Sequence, residues 1–309
     1  GKAIYSSEDK HIARYDLETK KSKYVFRDLN FHPVSIAVTD AHIVACGGKG
    51  KLLVLNKKNE LDFALKKINN DTITKLLIDN VNYNPHFSDQ SYNSTNDRLI
   101  VCDNSGIIKI LSLPSLAVED RISFGIPINF ASISPDNSKM AAVGDSGDVF
   151  ILNRRGNSFE KIHTLEVTGT SSFACDWNHS STLICAGSDE GFVTVWDIRN
   201  LKPITSFETT RVGEILMPCR NIKFSKRRSV DLLAVGEEDR YVNLIDTRTF
   251  RAQQIIDIDE SIALGAADPI NESSNQYIYS SSVAGLLFSQ DCSSLFVEMF
   301  YLKLLDSKL

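Results

Sequence analysis

Leu183-Ile184-Cys185-Ala186-Gly187-Ser188-Asp189-Glu190-Gly191-Phe192-Val193-Thr194-Val195-Trp196-Asp197 is the stretch that decides the fold. Leu183 to Gly187 is a short apolar run, the length of a strand buried on both faces. Ser188-Asp189-Glu190-Gly191 has turn chemistry. Ser and Asp side chains bond nearby backbone amides, and Gly accepts a positive φ. From Phe192 the chain turns strand-like again and ends on Trp196-Asp197. A lone hairpin is marginal in water, so this one must belong to a larger sheet.

Weaker copies recur along the chain. Their second strands end at Asp16, Asn56, Ser112, Asn153, Asp197, Asp246 and Asp306, about 40 to 60 residues apart. The shorter spacings fit the roughly 40–45 residues of a four-stranded propeller blade. With its Trp-Asp ending, the pattern resembles the WD40 repeat. That resemblance implies an all-β, seven-bladed β-propeller, a single domain over residues 1–309 whose first blade is incomplete. Further strands are expected ahead of the hairpins, as at Phe130–Ser134 and Phe173–Trp177. Loop insertions are expected near 79–97 and 257–276, where Asn, Ser and Asp crowd. The seventh copy pairs Leu295–Glu298 with Tyr301–Asp306 and has no Gly in its turn. The chain holds one Trp-Asp ending and no Gly-His dipeptide, so the polar network of a model WD blade is expected to be absent or partial. Blade cores then rest on burial of Val, Ile, Leu and Phe.

Composition narrows the function. The 309 residues are 42% hydrophobic and 24% charged, with a net charge of −5. These are ordinary globular values, and the sign argues against a general nucleic-acid binder. No run approaches the ~18 apolar residues of a membrane-spanning helix. Six cysteines without a Cys-x-x-Cys pair read as free buried thiols of a reducing compartment, the cytoplasm or the nucleus. Six scattered histidines lack metal-ligand spacing. Neither a nucleophile elbow nor a phosphate-binding loop occurs. The expectation is therefore a protein that is not an enzyme and uses no cofactor or metal. The chain opens on Gly1 rather than Met and is expected to begin inside a longer protein.

Blade topology sorts the loops onto two faces. The hairpin turns are acidic, and Asp189, Glu190, Glu237, Glu238 and Asp239 form the candidate substrate-binding set. They sit on neighbouring repeats, so one site could use both turns. The opposite loops are basic, and Arg154, Arg155, Arg227, Arg228 and Arg248 form a candidate partner-binding face. An acidic face suits an amine, an N-terminus or a basic peptide, and a basic face suits an acidic protein, a phosphate or a nucleic acid. Asn153-Arg154-Arg155-Gly156 is similar to the Phe-Arg-Arg-Gly motif of phosphoinositide-binding propellers, without the aromatic residue.

The sixth copy adds a more specific likeness. Arg220-Asn221-Ile222-Lys223-Phe224-Ser225 leads into Asp231-Leu232-Leu233-Ala234-Val235-Gly236-Glu237-Glu238-Asp239, then Asn243 to Phe250. This resembles a short domain with an Asp-Leu-Leu motif found in fungal WD-repeat proteins. One budding-yeast member of that family is a substrate receptor of the GID ubiquitin ligase and recognises N-terminal degrons that begin with threonine. The resemblance implies an adaptor whose partners are protein substrates with free N-termini and the scaffold subunits of a ligase. The alternatives are a general scaffold for protein complexes and a phosphoinositide-binding propeller.

Overall fold

The computed structural model describes residues 3–80, 97–227, 230–258 and 279–303. They are all-β, with no α-helix among them, and the fold is a β-propeller. The chain divides into two compact units, Gly1–Glu166 and Val167–Leu309.

The first unit begins with a three-stranded blade, β1 (Ala3–Glu8), β2 (His11–Asp16) and β3 (Lys21–Phe26). Three four-stranded blades follow. They are β4 (Pro33–Val38) to β7 (Phe63–Lys67) through β5 (His42–Gly47) and β6 (Lys51–Asn56), then β8 (Ile73–Asn80) to β11 (Val118–Ser123) through β9 (Asp97–Asp103) and β10 (Ile107–Ser112). The last comprises β12 (Ile128–Ile133), β13 (Lys139–Gly144), β14 (Ser146–Arg155) and β15 (Ser158–Glu166).

The second unit opens with β16 (Ser172–Trp177), β17 (Leu183–Ser188), β18 (Phe192–Asp197) and β19 (Lys202–Glu208). A two-stranded hairpin, β20 (Arg211–Val212) and β21 (Ile215–Leu216), precedes the next blade, β22 (Cys219–Phe224), β23 (Leu232–Glu237), β24 (Tyr241–Asp246) and β25 (Gln253–Asp257). The unit ends with the pair β26 (Tyr279–Phe288) and β27 (Leu295–Lys303).

Leu183–Asp197 folds as the expected hairpin. Strands β17 and β18 pair antiparallel, with Leu183 opposite Asp197 and Gly187 opposite Val193. The expected strands at 130–134 and 173–177 correspond to β12 and β16. The blade count is corrected from seven to six. In the seventh copy, Leu295–Glu298 and the residues from Tyr301 are not two strands. One strand, β27, runs straight from Leu295 to Lys303 and pairs with β26. Met299 and Phe300 stand between the two halves, and nothing there supplies the φ freedom or side-chain capping that a tight turn needs. Asp306 and the bulk of the two expected insertions, at 81–96 and 259–278, lie outside the described residues.

Each core lies between neighbouring blades. In the first unit one cluster joins Ile12 and Val25 to Ile43 and Leu53, a second joins Val44 and Leu52 to Leu99 and Val101, and a third joins Ile100 and Ile108 to Met140 and Leu152. In the second unit Cys185 and Val195 pack on Ile222 and Leu233, and Ala234 and Val242 pack on Val283 and Leu286. The middle strands are covered on both sides, which is why they read as near-continuous apolar runs. Each fully buried Leu or Ile among them contributes about 1.5–3 kcal/mol. All six cysteines are free and buried. Burial pushes the Cys46 thiol up to about 12.

A pair of backbone hydrogen bonds repeats from blade to blade. The residue after the outer strand donates to the end of the central turn, as in Ile68 to Gly50, Phe124 to Gly106 and Thr209 to Gly191. The turn in return donates to the connection before its blade, as in Asp145 to Pro127, Asp189 to Ser171 and Glu238 to Pro218. Turns and connections at this end are thereby stitched together.

Candidate functional site

In the second unit this stitched end carries the acidic turns. The connection from β19 to β22 is long enough to hold the β20–β21 hairpin, whose turn contains Gly213 at φ 64°. Two threonines anchor it. Thr209 donates its amide to Gly191 O (2.9 Å) and its hydroxyl to Met217 O (2.6 Å). Thr210 donates its amide (2.9 Å) and its hydroxyl (3.1 Å) to Oε1 of Glu237. Gly191, at φ 81°, admits the hairpin because a Cβ there would lie 2.5 Å from Leu216 Cβ and from Thr209 Oγ1. The tip shows Val212 and Ile215 to solvent, the latter 67% exposed.

The candidate carboxylates flank this hairpin but differ in role. Asp189 is half-buried and accepts the Ser171 amide (3.2 Å) and the Thr170 hydroxyl (3.4 Å). Glu190 is exposed. Glu238 is exposed and pairs with Arg220, whose guanidinium also lies 4.3 Å from the Phe173 ring centre. Asp239 accepts the Arg240 amide at 2.8 Å. Glu237 is different, since it is wholly buried. Its Oε1 takes the two Thr210 donors and the Asn243 amide, while Oε2 has no hydrogen-bond partner. Burial pushes its carboxyl above the usual range, against the pull of the Thr210 and Asn243 bonds. Glu237 therefore braces the hairpin from below, with Glu190 and Glu238 exposed and Asp189 and Asp239 half-buried on the two turns.

Sequence reasoning missed the cations at this end. Arg211 pairs with Glu208 (2.8 Å) and Arg240 with Asp257 (2.7 Å), beside the Arg220–Glu238 pair. The surface is less acidic than its turns suggest. The hairpin was also missed, because two-residue strands carry no readable period. One buried polar arrangement recurs in both units. Asp103 in the first unit sits where Glu237 sits in the second, at the end of the second strand of its blade. It binds Asn69 from the preceding connection and Lys109 from the next strand, as Glu237 binds Thr210 and Asn243.

The basic candidates that are described are each engaged by partners of their own. Arg154 is turned inward, onto buried Asp79 (2.5 Å), Asn137 and the Phe159 ring. Asp79 also takes Arg98, so one carboxylate serves two guanidiniums. Arg155 is exposed and pairs with Glu160 at 2.9 Å. On the second unit Arg248 pairs with Asp246 (2.6 Å), and Arg199 forms the same contact with Asp197 (2.5 Å). Hydrogen bonds from these arginines hold both carboxyls at about 2. Arg227 reaches the Asp291 carbonyl at 3.4 Å. Arg228 lies outside the described residues. Neighbouring Lys226 donates to Asp176 (2.9 Å) and to Trp177 O (2.7 Å).

Among the described residues, no group of three or more His, Cys, Asp or Glu is placed to hold a metal ion. No helix there is long and apolar enough to cross a membrane.

A family model described as an uncharacterised protein domain (DUF2415) matches residues 219–257. Its limits coincide with the first residue of β22 and the last of β25, so the match is one whole blade, with Asp231-Leu232-Leu233 at the entry to β23. The chain is also similar to the uncharacterized protein C4G3.03 of Schizosaccharomyces pombe, 26% identical over 202 residues. That likeness covers 64% of this chain and 55% of the relative, so the chain spans about half of the protein it matches.

Proposed function

We propose that this chain is a non-enzymatic adaptor that binds the free N-termini of protein substrates at the stitched end of its second unit and presents them to a GID-type ubiquitin ligase. One observation carries the reading. An apolar hairpin tip, Val212 and Ile215, stands on a connection bonded to two adjacent acidic turns, Asp189-Glu190 and Glu238-Asp239. An N-terminal ammonium needs a carboxylate or carbonyl cage, and the first side chain needs an apolar wall. The blade matched by the family model supplies one of the two turns and the buried brace. Propellers serve most often as platforms for other proteins, and the general-scaffold reading shares this surface without requiring a free terminus. The inward turn of Arg154 leaves the phosphoinositide reading with Arg155 as its outward arginine.

The test uses fluorescent peptides that begin with threonine, with a free or an acetylated N-terminus, titrated against the whole chain. Free peptide should bind at least ten-fold more tightly, and Asp189→Asn with Glu190→Gln should remove that difference. Equal affinity for both peptides would reject the terminus-reading part and leave the scaffold.

A further inference from the structure

The first unit carries a second exposed surface that the adaptor reading does not use. Leu61, Phe63 and Leu65 lie at alternate positions in β7 and the turn before it, 89%, 47% and 45% exposed. Three large apolar side chains in a row are unusual on a free rim, because an outer strand with one edge unpaired is a template for another strand. The edge is open, since β7 pairs with β6 alone among the described strands.

Side chains from the outer strand of the neighbouring blade reach this segment. Lys23 in β3 bonds Glu60 at 3.0 Å across a separation of 37 residues, and the Phe26 and Phe63 rings meet edge to face at 5.0 Å across the same separation. These two side-chain contacts join β3 to the 60–63 segment. Lys21 opens β3 two residues before Lys23, Lys58 lies in the turn that leads into β7, and Lys67 closes β7. All three lysines are exposed. Glu60 is paired with Lys23, and Asp62 accepts the Asn56 amide at 3.1 Å and keeps its single negative charge against the three lysines. A chain with net charge −5 thus keeps a surplus of cations around an apolar stripe.

We propose that this surface takes an extended acidic segment of a partner protein, added as a strand to the open edge of β7. Main-chain bonds to the edge supply affinity, and alternate side chains on Phe63 and Leu65 supply register. Carboxylates at either end of the segment meet Lys21, Lys58 and Lys67 and set which partners are accepted.

The probe is a blocked synthetic peptide of alternating Leu and Glu, labelled and titrated by fluorescence anisotropy against the whole chain. A peptide with Lys in place of Glu is the comparison. The acidic probe should bind and weaken as salt rises, and the lysine peptide should not bind. Leu65→Glu should weaken the acidic probe at least ten-fold. Leu61→Glu alters a side chain with almost no contacts and should do the same if the Leu65 variant fails to fold. Ile215→Ser, on the other unit, should leave binding unchanged. Equal binding of both peptides, or full binding by a folded Leu61→Glu protein, would overturn the proposal. So would a dimer in sedimentation that Leu61→Glu dissolves, since the stripe would then belong to a second copy of the chain.

Discussion

Thr210 gives both its backbone amide and its hydroxyl to a single oxygen of Glu237, and the other oxygen of that carboxylate is buried without a partner. A hairpin on the surface is thus fixed by a half-satisfied charge underneath it. Burial holds the Glu237 carboxyl above its ordinary value of 4.5, so the folded protein holds this proton more tightly than the unfolded chain. Its contribution to stability is therefore fully present below that ordinary value and is lost as pH rises through the raised folded one. Glu237→Gln keeps the acceptor for Thr210 and removes the buried charge. It should gain about 1 kcal/mol at pH 7 and nothing near pH 4. Urea unfolding between pH 4 and pH 8 checks this, and parallel curves for the two proteins would count against it.

Gly191→Ala sets a methyl group into Leu216 and Thr209 at a backbone angle that alanine resists. The loss should be about 1–3 kcal/mol, with the hairpin displaced. Gly156→Ala also changes a positive-φ glycine but meets nothing within 4 Å, so it reports the backbone cost alone. Thermal unfolding of the pair separates packing from conformation. Equal losses would mean that the hairpin does not press on the turn.

Arg154 and Arg155 are neighbours with opposite duties. Arg154→Ala leaves buried Asp79 with Arg98 alone and should cost about 3 kcal/mol. Arg155→Ala removes an exposed pair with Glu160 and should change stability by less than about 0.5 kcal/mol. Denaturant midpoints of the two variants give the comparison directly, and similar midpoints would contradict the inward placement of Arg154.

Asp176 is buried, which disfavours its charge, yet Lys223 and Lys226 hold its carboxyl below the ordinary 3.8. A depressed folded value means that the contribution is present above 3.8 and lost as pH falls through the folded one. Asp176→Asn should cost about 3 kcal/mol at pH 7, because two lysines lose their shared partner. The cost should shrink in acid, where the unsubstituted protein is protonated too. A loss that stays constant down to pH 2 would assign the role to hydrogen bonding of the Phe224 amide instead.

The strands were legible because their signal is local. Runs such as Ile43–Cys46 and Leu99–Cys102, each followed by a glycine-bearing turn, name a hairpin without help from distant residues. The last copy misled because its spacing was right and its turn chemistry was missing. The candidate site was half legible. Acidic turns on adjacent blades are visible in sequence, and the structure joins both to one hairpin. What sequence could not give is the pairing. Asp79 and Arg154 are 75 residues apart, and Glu237 meets Thr210 across 27. A list of charged loop residues does not distinguish a solvated side chain from one already bound. The Asp197–Arg199 and Asp246–Arg248 contacts are the exception, since their two-residue spacing repeats at the same place in consecutive blades.

The blade at 219–257 shares one core with β16–β19 and another with β26–β27, through Ile222 and Leu233 on one side and Ala234 and Val242 on the other. The segment that the family model marks off is therefore one blade and not a unit of folding. Cut out alone, it would turn two greasy flanks to water and lose the wall on each side. Its surface keeps its shape on loan from its neighbours. A recombinant screen for its ligand has to keep the strands on both sides.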